Sequence, residues 1–226
     1  MIQMKLNRTL ILTLTLVVCA SVALGGTIAY YTAQAVNVNT FDVTTGIQIA
    51  LDEAKVEKVG DEYVAVTPEE RVKENNYQDL YPGAVMPKDP TVTILPGSDA
   101  AYIRAAVTVS GAKNWLHLYG AETVDGNFML LINNKLGEGW SLTGYEEVTE
   151  GENAGDYIFN LLYANRLNAG EKTAPIFEHV VFTADVDETT LPLFGGQFKI
   201  TVVAEAVQAA GFESVQEAFA AIEENP

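Results

Sequence analysis

Cysteine is nearly absent: the 226 residues hold one, Cys19, inside an apolar run near the N-terminus. The rest of the chain can therefore build no disulfide framework, thiol nucleophile or cysteine metal cage. Histidine is almost as scarce, with only His117 and His179. They stand far apart and no His-Glu-x-x-His occurs, so the helix-borne zinc motif of common metallopeptidases is missing. No Gly-x-Ser-x-Gly is present, and Gly97-Ser98-Asp99 reads as a turn. Gly25-Gly26 lies in the N-terminal run and Gly195-Gly196 before a strand, which leaves no phosphate-cradling loop. Asp185-Val-Asp187-Glu188 lacks the third acid and the glycine of a calcium loop and reads as an exposed acidic turn. No catalytic residue, cofactor-binding residue or metal ligand is assigned, and the expectation is a non-enzyme without cofactors. Basic residues are also few, 13 Lys+Arg against 30 Asp+Glu, for a formal net charge of −17. A field of that sign repels nucleic acid and anionic lipid, and neither is expected as a partner.

What is present begins with an address. Lys5 and Arg8 precede an apolar run from Leu10 to Leu24, and Thr27 and Ala29 then offer small residues at alternate positions. This predicts a secretory signal over 1–29, cut after Ala29 to leave Tyr30 at the new N-terminus. The run of roughly 15 residues falls short of the ~20 that span a bilayer, so membrane association is expected only through the uncleaved signal. Val18 stands where a lipoprotein signal needs a small residue, so Cys19 reads as filler. The predicted location is extracellular or at the cell surface.

Residues 30–45 read as an extended arm, rich in β-formers and carrying only Asp42 as a charge, and 46–226 as one domain. At the centre of the domain, Tyr81-Pro82-Gly83 suits a type II turn, because proline presets φ and glycine takes the positive φ that follows. Val92 and Ile94 share a strand face; a second turn over Pro96–Asp99 leads to Ala101, Ile103, Ala105, Val107 and Val109, which alternate with Tyr102, Arg104, Ala106 and Thr108. Arg104 is expected to pair with an acid across the sheet. Ile47–Asp52 alternates likewise, with Tyr63–Val66 as its expected partner. Thr67-Pro68-Glu69-Glu70 has the form of a capping box opening a short helix to Glu74. Phe128–Ile132 reads as a buried strand, Gly139–Leu142 and Tyr157–Tyr163 as a hairpin, Ile176–Phe182 and Phe198–Val207 as further strands. Ser214 and Glu217 form a second capping box, and Val215, Ala218, Phe219 and Ile222 make one apolar helical face, expected to lie over an open end or edge. About eight to ten strands with one closing amphipathic helix predict an all-β fold, a jelly roll or β-sandwich with short helices.

Four stretches together resemble the TasA and camelysin family of secreted proteins from Gram-positive spore-formers: Gly26–Thr32, Asn39–Gly46, Leu80-Tyr-Pro82-Gly83 with Lys88-Asp89, and Phe198–Gln208. The likeness is weakest from Ala112 to Asp156. It implies processing by a dedicated ER-type signal peptidase, a jelly-roll domain, and assembly into extracellular fibres of a biofilm matrix, with copies of itself and other matrix proteins as partners. It further implies that the N-terminal arm of one subunit completes the sheet of the next. Tyr30, Val36 and Val38 share one face of an uncharged segment and are the expected polymer contacts, because an extended chain can satisfy the unpaired main-chain groups of a sheet edge. The camelysin branch carries the alternative, a secreted metallo-endopeptidase.

Overall fold

A computed structural model describes residues 32–36, 46–67 and 69–224. The signal-cleavage residues Thr27, Ala29 and Tyr30, and Val38 of the expected polymer contacts, lie outside the described residues. Residues Tyr31–Pro226 form one compact unit. Its strands are β1 (Thr32–Val36), β2 (Ile49–Ala54), β3 (Val56–Val59), β4 (Glu62–Ala65), β5 (Arg71–Val72), β6 (Val85–Pro87), β7 (Thr91–Ile94), β8 (Ala101–Val109), β9 (Trp140–Glu147), β10 (Tyr157–Leu167), β11 (His179–Val181) and β12 (Ile200–Gln208). Three short helices join them: α1 (Ala112–Trp115), α2 (Val124–Leu131) and α3 (Val215–Glu223).

The larger sheet is antiparallel in the order β1-β12-β8-β10-β9. Its inner face follows from the alternation in β8. Ile103, Ala105 and Val107 are buried, and the register sets Phe159 and Val202 opposite Val107, with Leu161 and Ala204 opposite Ala105. These residues share one core with Ile49, Leu51, Val92 and Ile94 of the second layer, β5-β2-β7. β11-β6 and β3-β4 form two further two-stranded sheets. The result is an all-β, sandwich-like fold with short helices. Burial of so many large apolar side chains is the main favourable contribution to its stability, at about 1.5–3 kcal/mol for each one fully covered.

The central turns form as predicted. The Ala84 N–H donates to the Tyr81 carbonyl at 2.9 Å while Gly83 takes φ 83°, and the Ser98 N–H closes on Leu95 at 3.2 Å with Gly97 at φ 87°. The Ser98 hydroxyl accepts from the Gln48 N–H at 2.9 Å and so ties that turn to the entry of β2. The strands on either side of it, β7 and β8, belong to different sheets, so this stretch crosses the core instead of folding back on itself.

Four expectations are corrected. Residues Arg71 and Val72 form β5, not a helix: they pair with Ala54 and Glu53, and the Lys55 N–H donates to the Glu70 carbonyl at 2.7 Å. The capping pattern loses because the edge of β2 satisfies this main chain and the Arg71 guanidinium finds Asp52 and Asp89 there. Phe128–Ile132 lies in and just after helix α2. Thr123 caps it by accepting the Gly126 N–H at 3.0 Å, which places Phe128, Leu131 and Ile132 at helical spacing on the core side. Residues 62–65 pair with β3 rather than with β2, whose neighbours are β5 and β7. Helix α3 lies against the outer face of the large sheet, over β10, β8 and β12, and not over an end. Half of its capping box forms as expected, with Ser214 Oγ accepting from the Glu217 N–H at 3.2 Å; the Glu217 carboxylate reaches past the cap and accepts from the Glu213 N–H at 2.9 Å.

Candidate functional site

Two features stand out: the β1 edge of the large sheet and a buried polar cluster in the second layer. At the edge, β1 pairs antiparallel with β12 from Thr32 opposite Val207 to Val36 opposite Val203. The described part of the arm therefore completes the sheet of its own chain. Val36, one of the expected polymer contacts, is the last residue of that pairing. At the opposite edge β9 carries a register shift where it meets β10, opposite Asn160–Leu161, and ends on Glu146 and Glu147, devices that discourage pairing with another chain.

The polar cluster is built on β2. Ile49, Leu51 and Glu53 alternate onto the same buried face, so a glutamate enters the core at a position that the pattern reserves for an apolar residue. Glu53 is only 1% exposed. Lys88, itself 8% exposed, follows β6 and places Nζ on Glu53 Oε2. Asn75, after β5, donates Nδ2 to Glu53 Oε1 at 3.1 Å and to the Ala54 carbonyl at 2.8 Å, while its Oδ1 accepts from the Val56 N–H at 3.0 Å. Asp89 accepts from the Ala54 N–H and from Arg71, each at 2.5 Å, and Arg71 Nε donates to Asp52 at 2.8 Å. A buried charge is tolerated only when paired and hydrogen-bonded, and here every member is. The Tyr77 hydroxyl donates to the Pro87 carbonyl at 2.5 Å; burial first, then the charges of Glu53 and Asp89, push its ionisation far above the ordinary tyrosine range.

This cluster opens into a cleft of about 900 Å³. One wall runs along Asn75–Leu80, the other along Gly196–Thr201 at the start of β12, and the lining is mixed, with Met86, Phe182 and Phe194 apolar beside Glu53, Asn75 and Lys88. Lys88 and Asp89 were visible in the sequence as a motif; their partners Glu53, Asn75 and Arg71 were not. The one signal for Glu53 was its place in the Ile49-Leu51 alternation.

The remaining candidates fall apart. His117 is exposed in a 3-10 turn (Leu116–Tyr119) and His179 lies in β11. Among the described residues no three of His, Cys, Asp and Glu stand together as a metal site. Asp187 turns its carboxylate inward on its own loop, accepting from the N–H groups of Thr189 and Thr190, each at 2.9 Å. Among the described residues no helix is long and apolar enough to cross a membrane. Arg104 finds its acid: Glu205 lies directly opposite on β12, and Glu223 of α3 joins from the other side. Comparison of the chain with known protein families, with curated proteins and with solved structures gives no match.

Proposed function

We propose that the chain is an extracellular structural protein whose copies join by strand exchange, the segment Tyr30–Val38 of one copy pairing with β12 of the next. The observation that carries this reading is that β1 stands at the end of the large sheet and, among the described residues, has β12 as its one neighbour there. Such a strand can be traded for an identical one from another chain, because the main-chain hydrogen bonds it makes are the same in either case. The cleft that borders the start of β12, with Phe194 and Phe198 in its lining, would receive side chains of an incoming segment. In this reading the two layers are the halves of a jelly roll, and an ER-type signal peptidase removes 1–29 to free Tyr30. The resemblance to the TasA and camelysin family supports the same assignment, with a biofilm matrix as the setting.

Ala35 and Ala204 are direct partners in the β1–β12 pairing, which makes them the place to test it. Ala35→Cys with Ala204→Cys should give, on oxidation of assembled protein, a ladder of disulfide-linked chains in non-reducing gels. Monomers oxidised before assembly should be locked and unable to polymerise. Deleting Tyr30–Val38, or changing Val36 and Val38 to aspartate, should leave a folded monomer. Filaments of unchanged yield from those variants in electron micrographs would rule out the exchange.

A further inference from the structure

The Glu53 carboxylate holds an amine and a primary amide at once: Lys88 Nζ on Oε2, Asn75 Nδ2 on Oε1 at 3.1 Å. Glu53 and Lys88 are almost wholly removed from water, at 1% and 8% exposure. The carbonyl oxygen of the same amide, Asn75 Oδ1, accepts from the Val56 N–H at 3.0 Å, a donor placed where charge collects when an amide carbon is attacked. A nucleophile, an acid–base group between nucleophile and leaving group, and a fixed oxyanion donor are thus gathered within one hydrogen-bonded cluster.

We propose that Lys88 and Asn75 join through an isopeptide bond formed within the chain, with Glu53 as the proton carrier. The bridging proton passes from Nζ to Oε2, leaving a neutral amine beside a neutral acid. The Nζ lone pair attacks Asn75 Cγ, and the carbonyl electron pair moves onto Oδ1 against the Val56 N–H. Glu53 gives its proton to Nδ2 and takes one from Nζ. The Cγ–Nδ2 bond then breaks, its electron pair leaving with nitrogen as ammonia, and the carbonyl reforms. An Nζ–Cγ bond has replaced a Cγ–Nδ2 bond, nothing is oxidised or reduced, and Glu53 ends protonated. Burial of Glu53 and Lys88 keeps bulk water from the proton carrier and the amine, while Asn75, half-buried on the wall of the cleft, leaves the ammonia a way out. The product closes a covalent ring from Asn75 to Lys88 around the Pro82-Gly83 turn, a staple for a chain that has no cysteine after Cys19.

The test is the mass of the purified chain and of its peptides. The intact protein should be lighter than its encoded mass by one ammonia. A protease cutting before aspartate separates 61–78 from 79–88 in an unlinked chain. In the linked chain these should travel as one branched species with its junction at Asn75 and Lys88. Glu53→Gln and Lys88→Arg, each checked for folding by circular dichroism, should show the encoded mass. A wild-type chain with separate peptides at their encoded masses overturns the proposal. So does an ammonia loss confined to a linear peptide, or one that persists in Lys88→Arg.

Discussion

Arg104 and Glu205 face each other across β8 and β12, and the same guanidinium reaches Glu223 of α3 at 2.5 Å and sits 4.6 Å from the centre of the Phe219 ring. One side chain therefore fastens the C-terminal helix to the outer face of the large sheet. The contact combines two carboxylates with a ring face, and the Arg104–Glu205 half is well shielded, since the Glu205 side chain is only 16% exposed. Arg104→Met, which keeps the stem and removes the charge, should destabilise the protein by about 1–3 kcal/mol. Glu223→Gln should cost less than about 0.5 kcal/mol, because Glu223 is largely in solvent. Urea unfolding of the two variants measures both; equal losses would mean that the helix is held elsewhere.

Asp89 bridges the Ala54 N–H at the end of β2 and the Arg71 guanidinium of β5. Asp89→Ala strands the part-buried Ala54 N–H and leaves Arg71 to Asp52 and Glu69, and should cost about 1–3 kcal/mol. Asp89→Asn keeps an oxygen for Ala54 and should cost less. Thermal unfolding would show the order, and a harmless alanine would contradict it.

Asp187 is held down to about 2 by the Thr189 hydroxyl and by the N–H groups of Thr190 and Thr189. The folded value lies below the unfolded one, so the contribution of this loop is present above the ordinary aspartate value and is lost as pH falls through about 2. In an NMR titration the Thr189 and Thr190 amides should keep their shifts well below pH 4 and move only near the end of the range. A midpoint at the ordinary aspartate value would show that the loop bonds do not hold the carboxylate.

Gly137 has no room for a side chain: a Cβ there would stand 1.8 Å from the Pro175 carbonyl oxygen, and backbone cannot rotate away. Gly60, in the β3–β4 turn, has φ 66° and open space around it. Gly60→Ala should cost about 1 kcal/mol, the strain of a left-handed conformation. Gly137→Ala should cost several times as much and lower the yield of folded protein. Circular dichroism melts of the two variants compare them directly, and similar melting temperatures would refute the difference.

Much of the framework could be read from local pattern. In β8 and β12 the period-two alternation runs for nine residues each, long enough to fix which side faces the core. Pro82-Gly83 and Ser214-Glu217 declare a turn and a helix start through chemistry contained within four residues. Phe128–Ile132 failed because five apolar residues fit a buried strand and a buried helix face equally well, and the deciding cap at Thr123 lies outside the run. Arg71–Val72 failed because its partners are the edge of β2 and the carboxylates of Asp52 and Asp89, brought near only by folding. The polar cluster was hidden for the same reason. Lys88-Asp89 is a recognisable pair, but what makes it chemically suggestive is Glu53 and Asn75, each distant in sequence.

The position of β12 has a consequence for how the molecule comes into being. Synthesis runs from the N-terminus, yet β1 must wait for the last strand before it has anything to pair with. The central strand β8 waits too: Arg104 meets Glu205 only 101 residues later. Until then one flank of β8 and the whole of β1 present open main-chain groups, the condition in which nascent β proteins pair wrongly with one another. The large sheet can close only once β12 has been made, so the open main-chain groups of β1 and β8 persist while every strand between them and β12 is synthesised.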